Sequence, residues 1–234
     1  KVKSLLLALV LPLFISVPAM AGKHWVATWA TAEQVVEPHN CPPAPYLENN
    51  SIRQIVQVSI SGKKIRLKFS NEFSKGPVTI NAAEVAIAAT AGSSSDIIAG
   101  TEKSLTFNGS PSVTIQPGEL VISDPINFKL NNRENVAITM HLGEASSTSV
   151  TGHPGSRTTS YIAEGQTSDF SNATATAHWY IINAIEVFAE KNARAVVVLG
   201  NSITDGRGST TDQQNRRTDN LSRRLLENKS TRRV

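Results

Sequence analysis

The chain has 234 residues, of which 40% are apolar and 18% charged; that balance belongs to a folded globular protein and excludes a disordered one. Its formal net charge is +4, yet residues 216–234 hold seven basic residues against two acidic ones, so the rest of the chain is close to neutral. No aromatic platform or nucleic-acid motif accompanies those arginines, which read as the solvated face of a helix, and nucleic acid is not expected as a partner.

Residues 1–21 have the layout of a secretory signal: Lys1 and Lys3 at the start, an apolar stretch over 5–17 broken by Pro12, and the small-x-small site Ala19-Met20-Ala21. The span is too short for a stable membrane helix, so a secreted or periplasmic protein beginning near Gly22 is expected. The single cysteine, Cys41, has no internal partner, and its neighbours Asn40, Pro42 and Pro43 indicate a loop. Nothing around it suggests an activated thiol.

From Trp25 to about Lys191 the chain reads as strands joined by turns. Apolar residues alternate with cations in Ile65-Arg66-Leu67-Lys68-Phe69, and in 136–142 the larger apolar residues again fall on one face, the period of a half-buried sheet. Further strands are expected over 54–60, 78–88, 112–115, 119–122 and 179–188, with turns at Ser61-Gly62, 108–111 and 116–118. Trp179, beside His178, reads as core at the start of a strand rather than a sugar platform. Short strands at this spacing predict a mainly β protein, with residues 22–190 forming a β-sandwich of jelly-roll type.

The character changes near 190–194. Residues 195–199 are uniformly apolar, which suits a strand covered on both faces in a parallel sheet, where ligands gather at strand carboxyl ends. The turn Gly200-Asn201-Ser202-Ile203-Thr204-Asp205-Gly206 follows, and a helix is expected over 212–227. The turn does not fit the G-x-S-x-G elbow, because Thr204 occupies the second glycine position, and it lacks the Gly-Lys-Ser/Thr of a phosphate loop. A parallel strand without neighbours leaves both edges open, so residues 194–234 are expected as a βα hairpin with exposed apolar surface, or poorly ordered.

The turn resembles the first motif block of the SGNH, or GDSL-like, hydrolases, Gly-Asp-Ser-Ile/Leu-Thr/Ser-x-Gly. Residues 24–30, 47–70 and Thr151-Gly152-His153-Pro154-Gly155-Ser156-Arg157-Thr158-Thr159-Ser160-Tyr161 are similar to those of secreted bacterial members that carry an N-terminal β-domain. The resemblance implies that residues 194–234 are the first βα unit of a flavodoxin-like α/β/α domain. It also implies that Ser202 is the nucleophile and its backbone N–H one oxyanion donor, within a turn built by Gly200, Asn201, Asp205 and Gly206. Asn201 stands where the family usually has Asp. Asn215-Arg216-Arg217-Thr218-Asp219 replaces the Trp and Pro of the Asn-Arg-Trp-Pro-Asp pattern that opens the next helix.

The family's later blocks have no counterpart: no Asn-Asp pair occurs, Gly208 is the last glycine, and none of the five histidines follows an aspartate by three residues. The chain is therefore expected to be a C-terminally truncated fragment with little activity, since acyl transfer by serine needs a base, an orienting group and oxyanion donors. Asp205 has two readings, a cap or hydrogen bond within its loop, or the acid that orients a histidine. His153 and Arg157, in a Gly-Pro-rich loop, either reach a substrate from the β-domain or are fixed by hydrogen bonds. Two functions follow: a serine ester hydrolase acting on acetyl or short acyl esters, acylated carbohydrate among them, or a non-catalytic glycan- or partner-binding β-sandwich. Neither calls for a metal or cofactor.

Overall fold

The computed structural model of the protein describes residues 22–228 and 230–231; the signal segment expected at 1–21 lies outside them. The described residues form, in order, β1 (His24–Ala30), β2 (Gln34–Val35), β3 (Ser51–Gln57), β4 (Gly62–Ser70), β5 (Val78–Ile87), β6 (Lys103–Ser104), β7 (Val113–Ile115) and β8 (Leu120–Ile122). There follow β9 (Ile126–Leu130), β10 (Asn135–Leu142), β11 (Thr151–Pro154), β12 (Ser160–Ala163), β13 (Thr174–Thr176), β14 (His178–Tyr180) and β15 (Ile182–Ala189). Among the described residues two α-helices follow, α1 (Ser202–Asp205) and α2 (Arg217–Glu227). The protein is mainly β, and every strand pair among the described residues is antiparallel.

A five-stranded sheet runs β1-β15-β4, with β8 and β9 both on β4; a seven-stranded sheet runs β13-β12-β3-β10-β5, with β6 and β7 both on β5. Their inner faces share one core. Ile65, Leu67 and Phe69 of β4 and Ile185 and Val187 of β15 meet Ile52, Val56, Ile138, Met140 and Val85 from the larger sheet. The alternation in β4 is what places them there: Arg66 and Lys68 point outward and both bind Glu186 on β15, at 2.6 and 2.7 Å. Period-two patterning with one apolar face is the condition for two sheets to close on each other.

In two places tertiary structure reshapes what the sequence suggests. Strand β10 is buried on both faces rather than half-buried, because the loop after β5 and the loop after β12 fold over the outer face of the seven-stranded sheet. There Ala137 clusters with Ile55 and Ala88, while Thr139 Oγ1 accepts from Arg53 Nε at 2.9 Å. The single strand expected over 179–188 is broken at Ile181, whose φ of +70° turns the chain so that β14 and β15 enter different sheets. A β-branched residue tolerates that conformation only when its surroundings enforce it. Ile181 is fully buried, donates to Thr151 O and accepts from Ser70 N.

Strand β14 forms a third sheet, β14-β11-β2, and is tied to the larger one by Gln54. This side chain is fully buried; its Oε1 accepts from Tyr180 N at 2.7 Å and its Nε2 donates to Tyr180 O at 2.9 Å. Trp179 is buried as core, as its position suggests, and its Nε1 donates to Ile55 O.

The strand expected over 195–199 does not form. The segment runs without a strand partner, with Val197 89% and Leu199 98% exposed, so the apolar exposure expected of a lone strand is present but the strand itself and the parallel layer of a flavodoxin-like unit are not. A parallel strand is held by its neighbours, and here no second strand is offered. Helix α2 starts at Arg217 rather than 212, because Asp212 and Gln214 take left-handed backbone at φ +61° and +46°. Among the described residues, no helix is long and apolar enough to cross a membrane.

Replacing Gln54 by Leu leaves both backbone groups of Tyr180 buried without partners and is expected to cost about 2–4 kcal/mol. Urea unfolding with an unchanged m-value is the check.

Candidate functional site

Ser202 opens α1, and the turn around it is built by its neighbours. Asn201 is the N-cap: its Oδ1 accepts from Ile203 N at 3.1 Å, so the amide performs the local hydrogen bonding an aspartate would. Gly200 is required by space, since a side chain there would run into Thr204. Gly206 is required twice over, taking φ +108° as the left-handed C-cap and lying where a Cβ would be 2.7 Å from Arg216 Cγ. Ser202 itself is exposed, and its Oγ makes no hydrogen bond to any described residue. Its amide lies in the first turn, where the helix supplies no acceptor.

The segment 201–220 is seated on the β-domain by the loop that joins β11 to β12. Asp212 accepts from Thr159 N at 2.7 Å and Thr159 Oγ1 at 2.8 Å, and its own amide donates to Arg157 O. Arg216, expected on a solvated helix face, is instead largely buried at the N-cap of α2. It lies over the Trp179 ring at 4.9 Å, donates through Nη2 to Ser156 O and takes the Asp219 carboxylate on its backbone amide at 2.9 Å. Arg133 Nη1 donates to Asp219 O at 2.7 Å. Asp205 neither caps a helix nor bonds its own loop through its side chain: its Oδ1 lies 2.8 Å from His153 Nε2.

His153, expected in a loop, lies on β11 opposite Trp179 and is held at both ends. Its Nδ1 lies 2.6 Å from Ala32 O, and its Nε2 faces Asp205. A carbonyl and a carboxylate are acceptors only, whereas a neutral imidazole carries one N–H, so both bonds are made together by the imidazolium. Burial opposes that charge, but the bonds to Asp205 and Ala32 outweigh it and the pKa is held above its ordinary value. An imidazolium has no lone pair with which to take a proton from serine. In this arrangement His153 is a charged pin between the β-domain and the serine turn, and neither ring nitrogen is free for a substrate.

Arg157 differs. Its side chain makes no hydrogen bond or ion pair to any described residue, and its Nε is buried without a partner. Glu33 also borders the site: its carboxyl, bonded by Asn183, is pushed up to about 7 chiefly by burial. Sequence reasoning singled out neither Glu33 nor Asp212, which look like ordinary surface acids, and it placed Arg216 on the solvent. No group of three or more His, Cys, Asp or Glu able to hold a metal occurs among the described residues. Comparison of the chain with models of known protein families and with curated proteins finds no match.

The docking of the serine turn is expected to weaken as pH rises. The folded-state pKa of His153 lies above its ordinary 6.5, so its contribution is complete below 6.5 and is lost as pH climbs through the folded value. Glu33 acts in the same direction: with its carboxyl raised from 4.5 to about 7, the folded state binds more protons than the unfolded one across that interval and stability falls through it. Urea midpoints from about pH 5 to 9 should decline in the parent, with His153→Asn removing the upper part of the decline and Glu33→Gln the lower.

Proposed function

We propose that this chain carries the β-domain and the nucleophile segment of a serine ester hydrolase of the SGNH type, with Ser202 Oγ as the attacking atom and Ser202 N–H as one oxyanion donor. The observation that supports it is the exposed, unbonded Ser202 hydroxyl at the first residue of a helix, held by the Asn201 cap and by two glycines that the turn requires. Attack on an acyl carbonyl would form the tetrahedral adduct beside that amide, while the Oγ proton passes to a base. Among the described residues none is hydrogen-bonded to Oγ to receive it, and His153 already holds its protons. Serine enzymes that lose triad members keep only about 10³ to 10⁴ of their enhancement over water, and that with an intact oxyanion hole. Substrates of the reading are acetyl or short acyl esters, with acylated carbohydrate as a natural case, and the leader-like residues 1–21 fit work outside the cytoplasm.

The test is chemical rescue. The chain by itself should turn over p-nitrophenyl acetate at close to the uncatalysed rate; added imidazole, supplying a base, should yield an acetyl adduct mapped by mass spectrometry to Ser202. Equal acetylation of the Ser202→Ala protein at other sites, with none at Ser202 in the parent, overturns the reading.

One feature favours the second reading, a binding module. A cleft of about 570 Å³ opens on the outer face of the seven-stranded sheet. Its floor is Arg53, only 4% exposed, lying 4.2 Å from the Phe170 ring, and its walls carry Glu84, Asp96, Glu102 and Asp169. Carboxylates and a guanidinium lining one concavity suit the vicinal hydroxyls of a sugar. On this reading titration with neutral oligosaccharides moves the NMR signals of residues 95–102 and 168–171, and Glu102→Gln with Asp169→Asn lowers the affinity about tenfold.

A further inference from the structure

We infer that Arg157 is an anion-recognition residue of the Ser202 site, so that the ester it serves carries a carboxylate. The inference rests on the serine hydrolase reading and adds to it a class of substrate.

Three observations carry it. Arg157 adopts left-handed backbone at φ +54°, a conformation that Arg takes only when its surroundings impose it. Those surroundings are visible: Arg157 O accepts from Asp212 N, Ser156 is buried on one side and Thr158 on the other. These neighbours fix the backbone from which the side chain leaves the loop. Second, the guanidinium packs against Gly155, with Arg157 Nη2 3.6 Å from where a Cβ of residue 155 would sit, an ordinary contact distance; it is the φ of +73° that favours glycine there.

Third, His153, Asp212 and Arg216 each have a side-chain partner, although Arg216 Nε, like Arg157 Nε, is buried without one. His153 is bonded to Ala32 and Asp205, Arg216 to Ser156 and the Trp179 ring, and Asp212 to Thr159. His178, whose Nδ1 accepts from Gly155 N, is held towards its neutral form by burial, with the charge on Arg157 among the groups that oppose its protonation. Arg157 is left half-buried with Nε unpartnered, and neither Asp205 nor Asp212 reaches it. A guanidinium so placed lacks the planar, two-oxygen acceptor that its donor fork fits best, and that acceptor is a carboxylate. Arg157 stands four residues after His153 of β11, which binds Asp205 three residues from Ser202, and Arg157 O accepts from Asp212 N, so the anion would lie beside the segment that carries the serine.

The carboxylate belongs either to the alcohol part of the ester, as in a uronic acid, or to the acyl part, as in a dicarboxylic half-ester. Titration of the ¹⁵N-labelled full chain with glucuronate against glucose, and with monomethyl succinate against methyl acetate, separates these sources. At least one carboxylate probe should perturb residues 153–159 and bind about tenfold more tightly than its neutral counterpart, weakening with added salt. Arg157→Asn, which tolerates left-handed backbone, and Arg157→Gln should both abolish the preference, with Arg157→Lys retaining part of it; an unchanged melting temperature for Arg157→Asn shows that the fold persists. Equal binding of charged and neutral probes, or a preference that survives Arg157→Asn, overturns the inference. Acetylation of Ser202 under imidazole rescue is read separately, so failure of the hydrolase reading is distinguishable from failure of this one.

Discussion

The carboxamide of Gln54 holds both backbone groups of Tyr180, and the candidate site is suspended from that contact. A fully buried amide with both halves satisfied costs little, whereas half-satisfied it would be among the most expensive groups in the core. Because Tyr180 is fixed, β14 is fixed, and β14 pairs with β11 so that Trp179 lies opposite His153. His153 then reaches Asp205, and Trp179 presents its ring to Arg216. The position of Ser202 is thus traceable, contact by contact, to a glutamine in the middle of the largest sheet.

Around Ser202 the local turn and its anchorage are separate matters. Asn201, Gly200 and Gly206 shape the turn from within, through a cap, a close approach to Thr204 and a left-handed C-cap. Anchorage comes from charge: the imidazolium of His153 against Asp205, Arg216 over Trp179, and Asp212 on Thr159. Desolvated charges hold firmly only while paired, so the seat of the serine turn is expected to respond to pH, whereas the sandwich beneath it depends chiefly on apolar burial. The same pairing takes His153 out of consideration as a base and leaves Arg157 a half-buried cation whose side chain has no acceptor among the described residues.

Residues 195–199 are the counterexample to the rest of the chain. Exposed apolar side chains elsewhere, such as Val35 and Ile98, keep about half of their surface covered; here Val197 and Leu199 stand almost fully in solvent. The composition of the segment demands cover on both faces, and among the described residues no strand pairs with it. An extended, uncharged run with open backbone edges is a ready template for pairing with another strand.

Much of the β-domain was legible from residue order. The alternation in Ile65-Arg66-Leu67-Lys68-Phe69 encodes β4 because side chains two apart share a face, and the strands starting at 78, 113, 120 and 135 lie within a residue or two of where patterning puts them. The serine turn was legible for a similar reason, since glycine and asparagine carry local backbone preferences that travel with the sequence. The break at Ile181 was not, because valine-like side chains carry no signal for a positive φ that only Thr151 and Ser70 impose. Nor were the partnership of His153 with Asp205, the burial of Arg216 or the isolation of Arg157, for these join residues far apart along the chain or depend on which acceptors fail to arrive. Local preference is written in neighbours along the chain; protonation state and unmet hydrogen-bonding capacity are properties of neighbours in space.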